Sequence, residues 1–222
     1  MTSETMPRLI FEDPNAVQLR VTLLDIEPSV WRRLIVPITF NLAQLHNIIQ
    51  SAFGWKDYHL HHFNVGGLRY GDAELMEEAS VDKAEPRTFE SVDVMLRDFD
   101  FGYGDDRGPV IEYVYDYGDN WVHAIEFEKR VALKPAPKAA SCIEGARACP
   151  PEDCGGPHGY AEFLRVLLTP EPDEIQQQRE MKVWSGGRFH PGKFDLAKTD
   201  KAVRGAHRRR RARQPSDRRG PG

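Results

Sequence analysis

The sequence predicts an α+β protein: a mixed or antiparallel sheet with an N-terminal hairpin, a crossing helix and C-terminal helices, in a β-grasp-like order. Three observations carry this. Apolar alternation runs through residues 17–23 and again through 30–36, with a Glu27-Pro28-Ser29 turn between them. Residues 42–53 then switch to helical spacing, and 110–117 and 121–130 return to strand period around Gly118-Asp119-Asn120. Hairpin, helix and strands in series, rather than alternating βαβ units, mark the α+β class.

Each element has its own signal. Val17, Leu19, Val21 and Leu23 share a face, and Val30 to Val36 returns beside them until Pro37. Asn41 is placed to cap a helix that repeats Leu42, Leu45, Ile48, Ile49 and Phe53 and closes at Gly54. A short strand over 59–65 puts His59, His61, Phe63 and Val65 on one face and Leu60, His62 and Asn64 on the other, ending at Gly66-Gly67. Residues 70–108 read as charged and irregular, with a short helix over Val92–Leu96 and a turn-rich loop from Phe99 to Gly104. In the later hairpin Trp121, His123, Ile125 and Phe127 share a face, as do Tyr113, Tyr115 and Tyr117. Residues 131–141 are an extended connector. A helix over 160–168 sets Phe163, Leu164, Leu167 and Leu168 on one side, and Asp173 caps a further helix to about Lys182. Phe189-His190-Pro191 and Phe194-Asp195-Leu196 form a final packed turn. The domain plan is a loose extension over 1–16, one α+β domain over 17–197, and a basic disordered tail over 198–222 that forms no core.

The net charge of −4 sums two unlike parts. Residues 198–222 hold ten Lys or Arg against Asp200 and Asp217, a balance of +8, which leaves −12 on residues 1–197. Arg208, Arg209, Arg210, Arg211 and Arg213 are therefore the candidate contacts to nucleic acid, through phosphates, or to an acidic protein surface. The tail lacks aromatic residues for base stacking. No apolar run reaches the ~20 residues of a membrane span, and the start lacks a signal-peptide apolar core. With three cysteines crowded between 142 and 154, a disulfide framework is not expected, and a reducing, cytoplasmic setting is.

The densest chemistry is Cys149-Pro150-Pro151-Glu152-Asp153-Cys154-Gly155-Gly156-Pro157-His158-Gly159-Tyr160, whose prolines and glycines predict a rigid loop delivering polar groups to a helix start. Cys142, Cys149, Cys154 and His158, spaced C-x6-C-x4-C-x3-H, are a candidate zinc set, because zinc favours thiolate and imidazole and would order such a loop. The alternative for the thiols is burial as small apolar groups. His59, His61, His62 and His123 are a second candidate cluster, set against the ordinary reading of hydrogen-bonded core histidines. Together His61, His123, Glu152 and Asp153 could support acid–base catalysis. Asp116 and Asp119 suit turn chemistry better than catalysis. Cys154 as a nucleophile has no supporting local signature.

Trp31-Arg32-Arg33, His59-Leu60-His61 with Phe63, Tyr115-Asp116-Tyr117-Gly118-Asp119-Asn120-Trp121-Val122-His123, the Cys149–Gly156 loop with Gly159-Tyr160, and Phe194-Asp195 together resemble the plasmid pRiA4b ORF-3-like family over about residues 15–197. The resemblance implies a bacterial protein carried on plasmids and mobile elements, with some members labelled transposon resolvases (TnpR). The residues do not support recombinase chemistry. Before the helix at 42 the only serines are Ser3 and Ser29, and His207-Arg208-Arg209-Arg210 meets a His-x-x-Arg string only as part of a basic run. The expected function is a non-enzymatic binding or accessory module with nucleic-acid contact through its tail. The alternative is a small metal-dependent hydrolase or nuclease-like enzyme using the His and carboxylate cluster.

Overall fold

The computed structural model describes residues 13–79, 87–99, 111–187 and 189–206. Its first hairpin pairs β1 (Ala16–Leu23) with β2 (Val30–Pro37) in antiparallel register from Ala16↔Pro37 to Leu23↔Val30. Val17, Leu19, Val21 and Leu23 are buried, as the alternation requires. Helix α1 (Leu42–Phe53) follows, and its caps are those predicted. The Asn41 side chain accepts from the Gln44 N–H, Gln44 Oε1 accepts from the Asn41 N–H, and Gly54 ends the helix at φ 86°. Its five predicted apolar positions are all buried, and His46 and Gln50 are buried with them.

Strands β3 (His61–Val65) and β4 (Leu68–Gly71) turn through Gly66-Gly67. Helix α2 (Ala73–Ala79) leads on to β5 (Thr88–Glu90), which lies parallel to β4. Then come β6 (Ile111–Tyr115), β7 (Trp121–Val131) and β8 (Ser141–Ala146), and the helices α3 (Gly156–Leu168), α4 (Ile175–Trp184) and α5 (Leu196–Ala206). One eight-stranded sheet results, in the order β5-β4-β3-β6-β7-β1-β2-β8. Every pairing but β4–β5 is antiparallel. The core joins the sheet to α1, α3 and α5. Among the described residues, no helix is long and apolar enough to cross a membrane.

Several expectations are corrected. The stretch read as irregular holds β4's end, α2 and β5, elements of three to seven residues that are too short to show a period. Val92–Leu96 is not helical. The Val94 carbonyl accepts from the Leu42 N–H and Met95 bridges Asn41, so this segment is drawn out against the start of α1, and only a 3₁₀ turn at Leu96–Asp98 follows. Of the predicted loop from Phe99 to Gly104, all but Phe99 lies outside the described residues. The left-handed positions of the β6–β7 turn are Asp116 (φ 60°) and Asn120 (φ 53°), not Gly118. Asp116 thereby breaks the alternation, and Tyr117 leaves the face of Tyr113 and Tyr115 to bond His62.

The end of the connector is strand β8, an edge strand whose Gly145 leaves room for Phe194; a Cβ there would stand 2.7 Å from the Phe194 ring. Helix α3 begins at Gly156 rather than 160, because Pro157 costs no hydrogen bond in a first turn. Its buried face is Tyr160, Phe163, Val166 and Leu167, while Leu168 is 61% exposed. Asp173 lies in a 3₁₀ turn just before α4, whose own N-cap is Glu174. Residues 198–206 are not tail: they belong to α5, and Val203 and Ala206 are fully buried. Leu196, Val203 and Ala206 do recur at helical spacing, but four charged side chains among eleven residues and the basic run beyond them hid the helix. Arg208, Arg209, Arg210, Arg211 and Arg213 lie outside the described residues.

Candidate functional site

The site is built where the β6–β7 turn, the segment after α1 and the loop before α3 meet. Asp116 makes the turn: its Oδ1 accepts from the Gly118 and Asp119 N–H groups at 2.9 and 3.3 Å, and its carbonyl accepts from the Asn120 N–H at 2.6 Å. That leaves Oδ2 facing His59 Nε2 at 3.4 Å. The loop before α3 docks on this turn, with the Gly155 N–H donating to Asp119 Oδ2 at 3.1 Å. Gly156 and Gly159 make the approach possible. A Cβ on Gly156 would drive into the Asp119 carbonyl, and one on Gly159 into the Cys154 carbonyl.

The loop's other anchors lie after α1. Trp55 Nε1 donates to the Pro150 carbonyl at 3.2 Å, and the Lys56 N–H donates to Glu152 Oε1 at 2.6 Å. The Tyr115 hydroxyl accepts from the Tyr58 N–H at 3.1 Å and donates to Glu152 at 3.3 Å. Asp153, held at φ 56°, brings Oδ1 to 3.0 Å from His59 Nε2, and Glu152 Oε2 lies 4.0 Å from the same nitrogen. The His59–Asp153 approach is close without meeting hydrogen-bond geometry, so Nε2 is buried and unbonded. Burial raises the Glu152 carboxyl from its usual value, partly offset by the Lys56 N–H. Tyr115 is raised in turn, first by burial and then by Glu152.

The ligand atoms of His59, Asp116 and Asp153 all lie within 4.8 Å of one another. His46, Asp57 and His61 form a second such group, but His46 is already spent. Its Nδ1 pairs with the Tyr113 hydroxyl at 2.8 Å, its Nε2 with Asp57 at 2.9 Å, and its ring stacks on His61 at 3.4 Å.

The sequence-predicted residues divide accordingly. Glu152 and Asp153 are in the site, but they meet His59 rather than His61, which stacks on His46. His123 is a core residue with no exposed surface. It sits 3.2 Å from the Tyr113 carbonyl and edge-on to Phe53 and Trp55, and burial pushes it down to about 3. Cys142, Cys149, Cys154 and His158 are not gathered; among the described residues no three of them bring ligand atoms within 4.8 Å of one another. Cys142 is buried in β8 with its thiol toward the Glu144 carbonyl, and His158 is in the first turn of α3. Burial lifts all three thiols, Cys142 to about 11, Cys154 to about 12 and Cys149 well above its usual value, which keeps them protonated. The sequence grouped His59 with the other histidines and read Asp116 as a turn residue; their meeting with Asp153 was not legible, because three distant segments supply the site. The available signal was Gly155-Gly156, a pair of glycines that here serve a left-handed entry into α3 and, at Gly156, a close approach to Asp119.

The family model described as plasmid pRiA4b ORF-3-like protein matches residues 15–198. The uncharacterized protein y4hQ of Sinorhizobium fredii (strain NBRC 101917 / NGR234) is 31% identical over 191 residues, covering 85% of this chain and 91% of its own. Among solved structures, the protein of unknown function MM3350 from Methanosarcina mazei Go1 superposes with a TM-score of 0.67 at 30% identity, over 82% of this chain and 95% of the other.

Proposed function

We propose that this chain, which belongs to the plasmid pRiA4b ORF-3-like family, is a binding module whose His59–Asp116–Asp153 cluster takes a divalent cation of the zinc or manganese class. One observation carries the reading: an imidazole nitrogen and two carboxylates from three separate segments converge to within 4.8 Å. Donor atoms around one such ion, each ~2.0–2.2 Å from it, stand roughly 3–4 Å apart. The donor set of one nitrogen and two oxygens suits zinc and manganese, and Glu152 supplies a further carboxylate beside it. Titration calorimetry of chelator-treated protein with zinc and with manganese chloride tests it. Saturable binding to the native chain, lost in His59→Ala and Asp116→Asn, is the expected result. Equal binding by both variants would sink the site.

The accessory role includes contact with nucleic-acid phosphates through Arg208, Arg209, Arg210, Arg211 and Arg213, supported by their charge density. Truncation after Ala206 should then abolish a salt-sensitive affinity for duplex DNA. A second reading, metal-dependent phosphodiester hydrolysis, is favoured by Glu152 alone. Its raised carboxyl lies 4.0 Å from His59 Nε2, where it is poised to accept a proton. Turnover of a phosphodiester that disappears in Glu152→Gln while the cation still binds would decide for an enzyme.

A further inference from the structure

A second concentration of charge lies at the other end of the same loop. Arg32, in β2, is 3% exposed, yet among the described residues no carboxylate lies within 4.0 Å of it. Its guanidinium is held by backbone carbonyls instead. Nε donates to Ala52 at 2.9 Å, Nη1 to Trp31 at 2.7 Å and to Ala146 at 2.8 Å, and Nη2 to Arg147 at 3.0 Å. The rings of Phe53 and Phe194 cover it, with centroids at 5.1 and 4.5 Å. Carbonyl dipoles solvate a buried cation but do not neutralise it. One guanidinium N–H, the second on Nη2, finds no acceptor among the described residues.

Beside this uncompensated charge opens a cleft of about 380 Å³, between the end of α1, the start of α5 and the residues after β8. Two polar atoms in its wall are buried and find no partner among the described residues: Ser51 Oγ, on a residue 5% exposed, and Arg147 Nε. A serine at this point of a helix ordinarily bonds the preceding turn's carbonyl; this one bonds no group among the described residues. Lys193 and Lys198 stand exposed at the rim. The lining therefore carries four cationic side chains against one carboxylate, Asp195, and that carboxylate is engaged in capping α5 through the Lys198 N–H at 2.9 Å.

We infer that this cleft binds the phosphoryl group of a small molecule, with Arg147 Nε and Ser51 Oγ as the inner donors and Lys193 and Lys198 as the outer charges. A tetrahedral oxyanion supplies acceptors to both orphaned donors at once and the counter-charge that Arg32 lacks. The volume suits a phosphate with a small organic substituent. The site shares no residue with the His59 cluster.

The test uses the full chain, stripped of metal by chelator so that phosphate cannot bind through an ion, titrated with inorganic phosphate and separately with acetate. Saturable phosphate binding is expected, weakened about tenfold or more by Arg147→Gln and by Ser51→Ala, and unchanged by Asp116→Asn. Because Ser51 Oγ has no partner among the described residues, Ser51→Ala should keep the native melting temperature without phosphate, so its loss of binding is not a folding defect. Binding that survives both variants, or no saturation at all, overturns the site. Acetate binding as tightly as phosphate overturns the phosphoryl assignment.

Discussion

The segment from Arg147 to Gly156 has one end in a cationic cleft and the other in a cluster of carboxylates, and the two ends bury charge by opposite means. At the Arg147 end the buried group is Arg32, which cannot give up its proton, so the fold supplies carbonyls from Trp31, Ala52, Ala146 and Arg147. At the other end Glu152 is also desolvated, but a carboxyl can answer by holding a proton, and its affinity for one rises accordingly. Cys149 and Pro150 stand between the two, tied down by Trp55. The lesson is that one loop can present two opposite fields when each end has its own anchor. The Arg32 end relies on backbone, and the Glu152 end on chemistry that responds to pH.

Breaking the Arg32 end should cost most. Arg32→Met takes the donor from the carbonyls of Ala52, Trp31, Ala146 and Arg147, the first of these bonds fully buried, and urea unfolding should show a loss of about 3–5 kcal/mol. Cutting the other end from its hairpin comes next. Gly159→Ala places a methyl group against the Cys154 carbonyl, and a loss of roughly 2–3 kcal/mol is expected, together with divalent-cation affinity. If stability fell while the cation still bound, the loop would not be what assembles the cluster.

A pH series separates proton-sensitive burial from the insensitive kind. His123 is lowered from 6.5 to about 3 and His62 to about 4, both chiefly by burial. The unfolded chain therefore takes up protons first, and stability present above pH 6.5 is lost as pH falls toward these values. For His123 that amounts to about 2 kcal/mol between pH 7 and pH 5. Glu152 has the opposite sign: its raised affinity favours the fold at acid pH and is lost as pH rises through its folded value. Melting temperatures should fall over this window, and the fall should shrink in His123→Gln, whereas Arg32 contributes nothing to it. The smallest effect on folding belongs to Asp116→Asn. Asparagine tolerates the left-handed backbone and keeps the turn, so about 1 kcal/mol or less is expected, while the charge facing His59 is gone.

Local patterns were readable and distant ones were not. Asn41, Gln44 and Gly54 announce α1 because a capping box and a left-handed cap lie within a few residues of the ends they close. The first hairpin is equally plain, since alternation over eight residues leaves one register that buries Val17, Leu19, Val21 and Leu23 beside Val30, Leu34 and Val36. β8 was hidden because Ser141–Ala146 borders only β2 and alternates poorly, and with it went the expected grouping of Cys142 with Cys149 and Cys154. Glu152 and Asp153 stood out as concentrated chemistry, but that they face His59 follows from tertiary docking alone. Asp116 was read as a turn residue, and it is one. Its two oxygens do two jobs, which no reading by residue type separates.

The burial of Ala206 has a consequence for the arginines beyond it. A cut made before Ala206 to remove them would also take Val203 and Ala206 out of the core, so any binding lost in such a variant would report on folding as much as on charge. The same helix runs back to Lys198 at the rim of the cationic cleft, about 12 Å along its axis. Losing it would remove one wall of the cleft, so only a cut placed after Ala206 separates the two sets of positive charge.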